Sequence, residues 1–198
     1  YISLSIAAYY LILESESIAL FLTAYVSFGL LVVLLCFNFA HDLSHNALFK
    51  KARWNNFFFE VIYTMVGAHP SAWKDRHLQS HHFAPNVKHF DTDLAITGLI
   101  RVLPTSEKKW YHSIQHIYAP LAYMGYSLYW VFVKDFVVLK QFAPRRLSAR
   151  SRYYLIFILQ KAIYLGYLLV LPLVLSNHGT GWVLLGFLLM HMIQSLYT

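Results

Sequence analysis

Before Lys50 the chain has no Lys or Arg at all; all 16 basic residues lie from Lys50 onward. Charge of either sign is scarce, at 13% of 198 residues, against about a quarter in ordinary soluble domains. A single cysteine, Cys36, rules out a disulfide within these residues, and its place in an apolar run suits a buried, inert thiol. The eight glycines are scattered. With no glycine-rich phosphate loop, internal repeat or low-complexity run, nucleotide binding has no support. The net charge of +7 does not form one basic face. It is divided mainly between residues 38–116 and 138–152, so no nucleic-acid partner is expected.

What is abundant is apolar sequence: 58% hydrophobic and 18% aromatic residues. Residues 17–37 run without a charge, and about twenty such residues cross a hydrocarbon core as a helix. Residues 1–13 are equally apolar but begin without Met or a basic flank, so they read as the cut end of a longer span rather than a signal peptide. Two further spans are expected over residues 152–176 and 181–198. The first is interrupted by Gln160 and Lys161. A lysine at that depth means either that the span starts later than Arg152 or that Lys161 faces a polar cavity.

Basic residues near spans mark the cytoplasmic side, and the connections at residues 14–17 and 177–180 carry none. Those connections are therefore expected outside. The apolar segment 117–136 then lies between two cytoplasmic stretches, and twenty residues cannot cross twice. It is expected to be interfacial or re-entrant. The predicted fold is an all-α integral membrane protein, multi-pass and a single partial domain. Residues 1–37 and 152–198 form two transmembrane helical hairpins, and residues 38–151 form a cytoplasmic helical cap.

Two histidine clusters stand in that cap: His41-Asp42-Leu43-Ser44-His45 and His77-Leu78-Gln79-Ser80-His81-His82. Residues i and i+4 share a helix face about 6 Å apart, so each pair can grip one ion. Imidazole suits iron, zinc, copper and nickel. Five imidazoles exceed what one tetrahedral zinc takes, and no Cys partner stands nearby. His81 and His82, being adjacent, point differently and can serve two ions. A membrane metal transporter would place its ligands at mid-span, which disfavours that reading here.

The pattern resembles the membrane fatty acid desaturase and hydroxylase superfamily, whose mark is three histidine boxes. The likeness extends to Lys51-Ala52-Arg53-Trp54-Asn55-Asn56, Trp73-Lys74, Pro85-Asn86, Asp91-Thr92-Asp93-Leu94, Leu103-Pro104-Thr105 and Gln115-His116-Ile117-Tyr118-Ala119-Pro120. These look like the acyl-lipid, front-end and linoleoyl-CoA branch. The resemblance implies that His41, His45, His77, His81 and His82 are ligands of two Fe ions. It also implies O2 as co-substrate, a fatty acyl-CoA or acyl-lipid substrate in lipid metabolism, and a ferredoxin or cytochrome b5 type electron donor. A third box of the form [HQ]xxHH is not in these residues and is expected past Thr198, with one further histidine. The alternative activity is hydroxylation within the same superfamily.

Other polar residues have weaker claims. Asp42, Asn86, Asp91, Asp93 and His116 are candidates to hydrogen-bond ligating imidazoles, with Asp42 foremost because it lies inside a box. His112 repeats the i, i+4 spacing with His116 in an interfacial setting and reads as structural or supporting. His69 and His178 read as structural. His191, inside a span, is either functional or a neutral imidazole bonded to a neighbouring helix. Lys74 and Arg76 are candidates for an acyl-CoA phosphate or lipid headgroup. The remaining basic residues suit membrane lipids or an acidic electron carrier.

Overall fold

A computed structural model describes residues 1–87, 90–91, 98–141 and 143–197. They are helical, with no strand among the described residues. In chain order the helices are α1 (Ile2–Glu14), α2 (Ile18–Ser44), α3 (Ala52–Met65) and α4 (Pro70–Arg76). They continue with α5 (Gln115–Met124), α6 (Tyr126–Tyr129), α7 (Asp135–Gln141), α8 (Leu147–Leu175) and α9 (Thr180–Leu196).

Among the described residues only α2 and α8, of 27 and 29 residues, are long and apolar enough to cross a membrane. At 1.5 Å per residue each reaches about 40 Å, more than a hydrocarbon core needs. Both exceed their expected bounds: α2 runs on to Ser44, and α8 starts at Leu147. Ser17 begins α2 by accepting the Leu20 N–H at its Oγ. The apolar helices α1 and α9 are shorter, and both pack along α2. Gly186 of α9 makes that approach possible, because a Cβ there would collide with the ring of Tyr25. Around this contact Phe21, Tyr25, Val32, Tyr164, Leu168, Val183 and Met190 form a fully buried core.

The helices carry breaks, and the breaks are mended by side chains. In α8 a π-turn spans Gly166–Val170, so the Leu171 N–H reaches Gly166 O instead of Tyr167 O. Pro172, one residue on, has no N–H for Leu168 O. Two carbonyls are thus left without helical donors, at a cost of several kcal/mol each in lipid. Tyr9 Oη–H donates to Tyr167 O at 2.6 Å, and Tyr25 Oη–H donates to Leu168 O at 2.9 Å. These two hydroxyls tie α1 and α2 to α8.

The segment 117–136 is a broken helix: α5 and α6 meet at Gly125, and a π-turn, Trp130–Lys134, leads into α7. No piece is long enough to span. α5 and α6 pack on α9, where His191 is fully buried. His191 Nε2 is bonded to Tyr164 Oη at 2.6 Å and Nδ1 to Ser127 Oγ at 2.8 Å. Of its two readings, the structure gives the imidazole bonded to its neighbours. Lys161 likewise meets polar groups: Asp135 Oδ2, Gly67 O and Val131 O. His178 Nε2 bonds Ser15 O at 2.9 Å, joining the two basic-free connections, a structural role as expected.

Candidate metal centre

The first histidine pair sits where α2 ends. A π-turn over Cys36–Ala40 sends the His41 N–H back to Cys36 O, re-phasing the final turn. Leu43 and Ser44 of that turn are buried, and Ser44 Oγ–H donates to His41 O at 2.6 Å. Asn46, at φ +58, stops the helix, with Ala47 N–H closing on Asp42 O at 2.9 Å. The rings of His41 and His45 lie 4.8 Å apart. This is the expected pair on one face.

The second cluster differs from its expected geometry. Pro70 at the first position starts α4, which passes directly into a π-turn over His77–His81 with His82 N–H bonded to His77 O at 3.0 Å. A π-turn brings i and i+5 to one face, so His77 pairs with His82 rather than His81. The Nε2 atoms of His77 and His82 are 2.9 Å apart, whereas the His77 and His81 rings are 5.8 Å apart. Trp73 stacks on His77 at 4.2 Å and holds its ring. His81 turns aside, its Nδ1 3.0 Å from Asp91 Oδ2.

The two clusters converge. One ligand nitrogen each from His41, His45, His77 and His82 all lie within 4.8 Å of one another. The His45 ring is 4.8 Å from His82, and the His41 ring is 5.3 Å from His77. Two nitrogens about 2.1 Å from one ion and at right angles stand roughly 3 Å apart, the separation found for His77 and His82. Burial pushes the His77 imidazole down to about 4, with His82, His41, His45 and His81 acting in the same direction. Burial and the neighbouring His41 and His82 lower His45 as well. At neutral pH these rings therefore offer lone pairs rather than protons.

A cavity of about 520 Å³ opens beside the cluster, with His41, His77 and His81 in its wall. Most of the remaining wall is aromatic or aliphatic, from Val33 and Phe37 of α2 through Tyr63 of α3 to Trp130 and Val131. Such a volume and lining suit one apolar ligand.

The family model described as fatty acid desaturase matches residues 16–198. The chain belongs to the fatty acid desaturase family. It is 30% identical over 146 residues to an acyl-lipid (8-3)-desaturase of Physcomitrium patens, covering 71% of this chain and 30% of that protein. It is 31% identical over 94 residues to an sn-1 linoleoyl-lipid 6-desaturase of Arthrospira platensis, covering 48% and 25%. An acyl-lipid (8-3)-desaturase B of Dictyostelium discoideum is 30% identical over 161 residues, covering 79% and 34%. The chain thus spans about a third or less of the length of these relatives. No solved structure matches it significantly. Desaturases of this family are membrane-bound and generally di-iron dependent, and the four-imidazole group fits a metal by its nitrogen spacing and by the lowered basicity of His77 and His45.

Around this desaturase cluster the supporting residues fall differently from expectation. Asp42 reaches His41 Nδ1 only at 3.4 Å and is half exposed. Asp91 is the better placed carboxylate: 3% exposed, it meets His81 and also accepts the Asn86 N–H at 2.8 Å. Asn86, at φ +63, contributes its backbone rather than its side chain to that contact. Asp93 lies outside the described residues. His116 is exposed on α5 and outside the group of four. His112 accepts the Lys109 N–H and bonds Gly98 O, a structural role. Lys74 Nζ–H donates to Asn56 Oδ1 at 2.7 Å, and the Arg76 guanidinium lies over the Trp130 ring at 5.3 Å. Sequence reasoning named Trp73 only as part of the family likeness and missed its stacking on His77, although a position four residues earlier is the spacing of a stacking partner.

Proposed function

We propose that the full protein is an O2-dependent di-iron acyl desaturase that inserts a double bond into a lipid-linked acyl chain. One observation carries the reading: four imidazoles converge at the wall of an apolar cavity. The acyl-lipid and linoleoyl-lipid names of the relatives support a lipid-linked substrate over acyl-CoA. In the proposed topology α1 with α2 and α8 with α9 are two membrane hairpins, within the divisions 1–37 and 152–198. Residues 38–151 face the cytoplasm with segment 117–136 re-entrant. The basic residues after Lys50 and the basic-free connections support that orientation.

In this reading His41, His45, His77 and His82 hold metal, and His81 adds its Nε2. Asp91 accepts from His81 Nδ1–H, fixing the tautomer that leaves the Nε2 lone pair free. Bound iron supplies the oxidising power that an unactivated methylene demands and no side chain possesses. The cavity wall of Phe37, Tyr63, Trp130 and Val131 holds the acyl chain and keeps bulk water away. The net change takes a hydrogen from each of two adjacent carbons. O2 becomes two waters with those hydrogens, two electrons delivered one at a time by a ferredoxin or cytochrome b5 type donor, and two protons from solvent.

Lipid mass spectrometry of a host expressing the full-length protein and fed a defined fatty acid tests this. Acyl chains lighter by two hydrogens are expected. A gain of oxygen would make the protein a hydroxylase of the same superfamily, and unaltered lipids in an iron-loaded host would overturn both readings.

A further inference from the structure

α4, the seven-residue helix that leads into box two, continues only as the five-residue π-turn at His77–His81, a run too short to persist without tertiary support. It is entered from a tight corner at residues 67–69. Gly67 adopts φ +74, and a Cβ there would lie 2.8 Å from the Tyr164 ring, so the corner is pressed against α8. Lys161 of α8 reaches the same corner. Its Nζ donates to Gly67 O at 2.5 Å, Val131 O at 2.7 Å and Asp135 Oδ2 at 2.7 Å, using all three ammonium protons. Val131 O is available because the π-turn sends the Asp135 N–H to Trp130 O.

Asp135 completes the arrangement. Its Oδ2 also accepts the N–H of His69, the residue that caps α4, at 2.9 Å, and its Oδ1 accepts Trp130 Nε1–H at 3.0 Å. The Trp130 ring lies under Arg76, the neighbour of His77. Asp135 and Lys161 are 3% and 9% exposed. A buried ion pair is weak evidence for stability, since desolvation offsets its attraction. Here most of the bonds go to backbone groups of separate elements, which fixes positions.

We propose that Asp135 and Lys161 are positioning residues for the second histidine box. The pair pins corner 67–69 to α8 and α7, setting the height and rotation of α4. His77 and His82 thereby meet His41 and His45 at the end of α2. The inference rests on the reading of those histidines as one metal centre, but its geometry can be measured without metal.

The test uses the full-length protein in nanodiscs, with Cys36→Ala and any other cysteines replaced. Nitroxides at Leu48 and Phe83 report the spacing of the two boxes by dipolar EPR, with or without iron. Asp135→Asn combined with Lys161→Met removes the donors to Gly67 O and Val131 O yet leaves no unpaired buried charge. The expected result is a folded protein whose inter-box distance distribution shifts and broadens, with iron affinity lower by roughly 10-fold. A folded double variant with an unchanged distribution would overturn the proposal. If the double variant does not fold, Trp130→Phe decides: it keeps the ion pair and loses one bond to Asp135. A smaller shift of the same kind supports the clasp, and no shift contradicts it. Absence of iron from the unsubstituted protein would instead strike at the metal-centre reading, leaving the distance measurement to judge the clasp alone.

Discussion

The π-turn of α8 at Gly166–Val170 and the π-turn at His77–His81 share one backbone event in different surroundings. In α8 the freed carbonyls lie in the apolar core, and Tyr9 and Tyr25 close them with hydroxyls from α1 and α2. In box two the extra residue per turn is used to aim side chains, bringing His77 and His82 onto one face. The first turn is a packing fault that partners repair; the second is a change of phase that builds a site. Local backbone geometry alone therefore does not reveal its purpose. What fills the turn and what faces it decide.

If this contrast is sound, substitutions in the two turns separate stability from metal binding. His77→Ala has the largest expected effect, lowering iron affinity more than about 100-fold, since it removes a ligand and not merely its support. Iron analysis of the purified full-length protein checks it, with thermal unfolding close to unsubstituted. Tyr25→Phe should do the reverse. It strands Leu168 O, costing about 1–3 kcal/mol seen as a lower unfolding temperature in detergent, while iron per chain stays constant. Asp91→Asn weakens the hold on His81, and iron affinity falls roughly 10-fold with the fold intact. Asp42→Asn is the smallest, less than about 2-fold in the same titration, because its carboxylate is exposed and 3.4 Å from His41. Equal effects at Asp91 and Asp42 would show that the buried contact gives no advantage.

The parts legible in the sequence were those set by residue type over short distances. Apolar runs marked α2 and α8, and the two clusters named the four imidazoles that converge, with His81 as a fifth that turns aside. Three features were not legible. The pairing of His77 with His82 depends on helical phase, which the HxxxHH spacing alone does not fix. The advantage of Asp91 over Asp42 depends on a chain reversal near Asn86 that buries one carboxylate and not the other. The partners of Lys161 come from Asp135, Gly67 and Val131, distant in sequence, so its depth read only as an anomaly with two solutions.

In the proposed function both boxes close on one iron centre. X-ray absorption at the iron edge of the full-length protein tests it most directly. About two irons per chain with a nitrogen-rich shell near 2.1 Å, depleted in His82→Ala, is the predicted result. A single zinc with no iron, or an iron shell unchanged in His82→Ala, would contradict it.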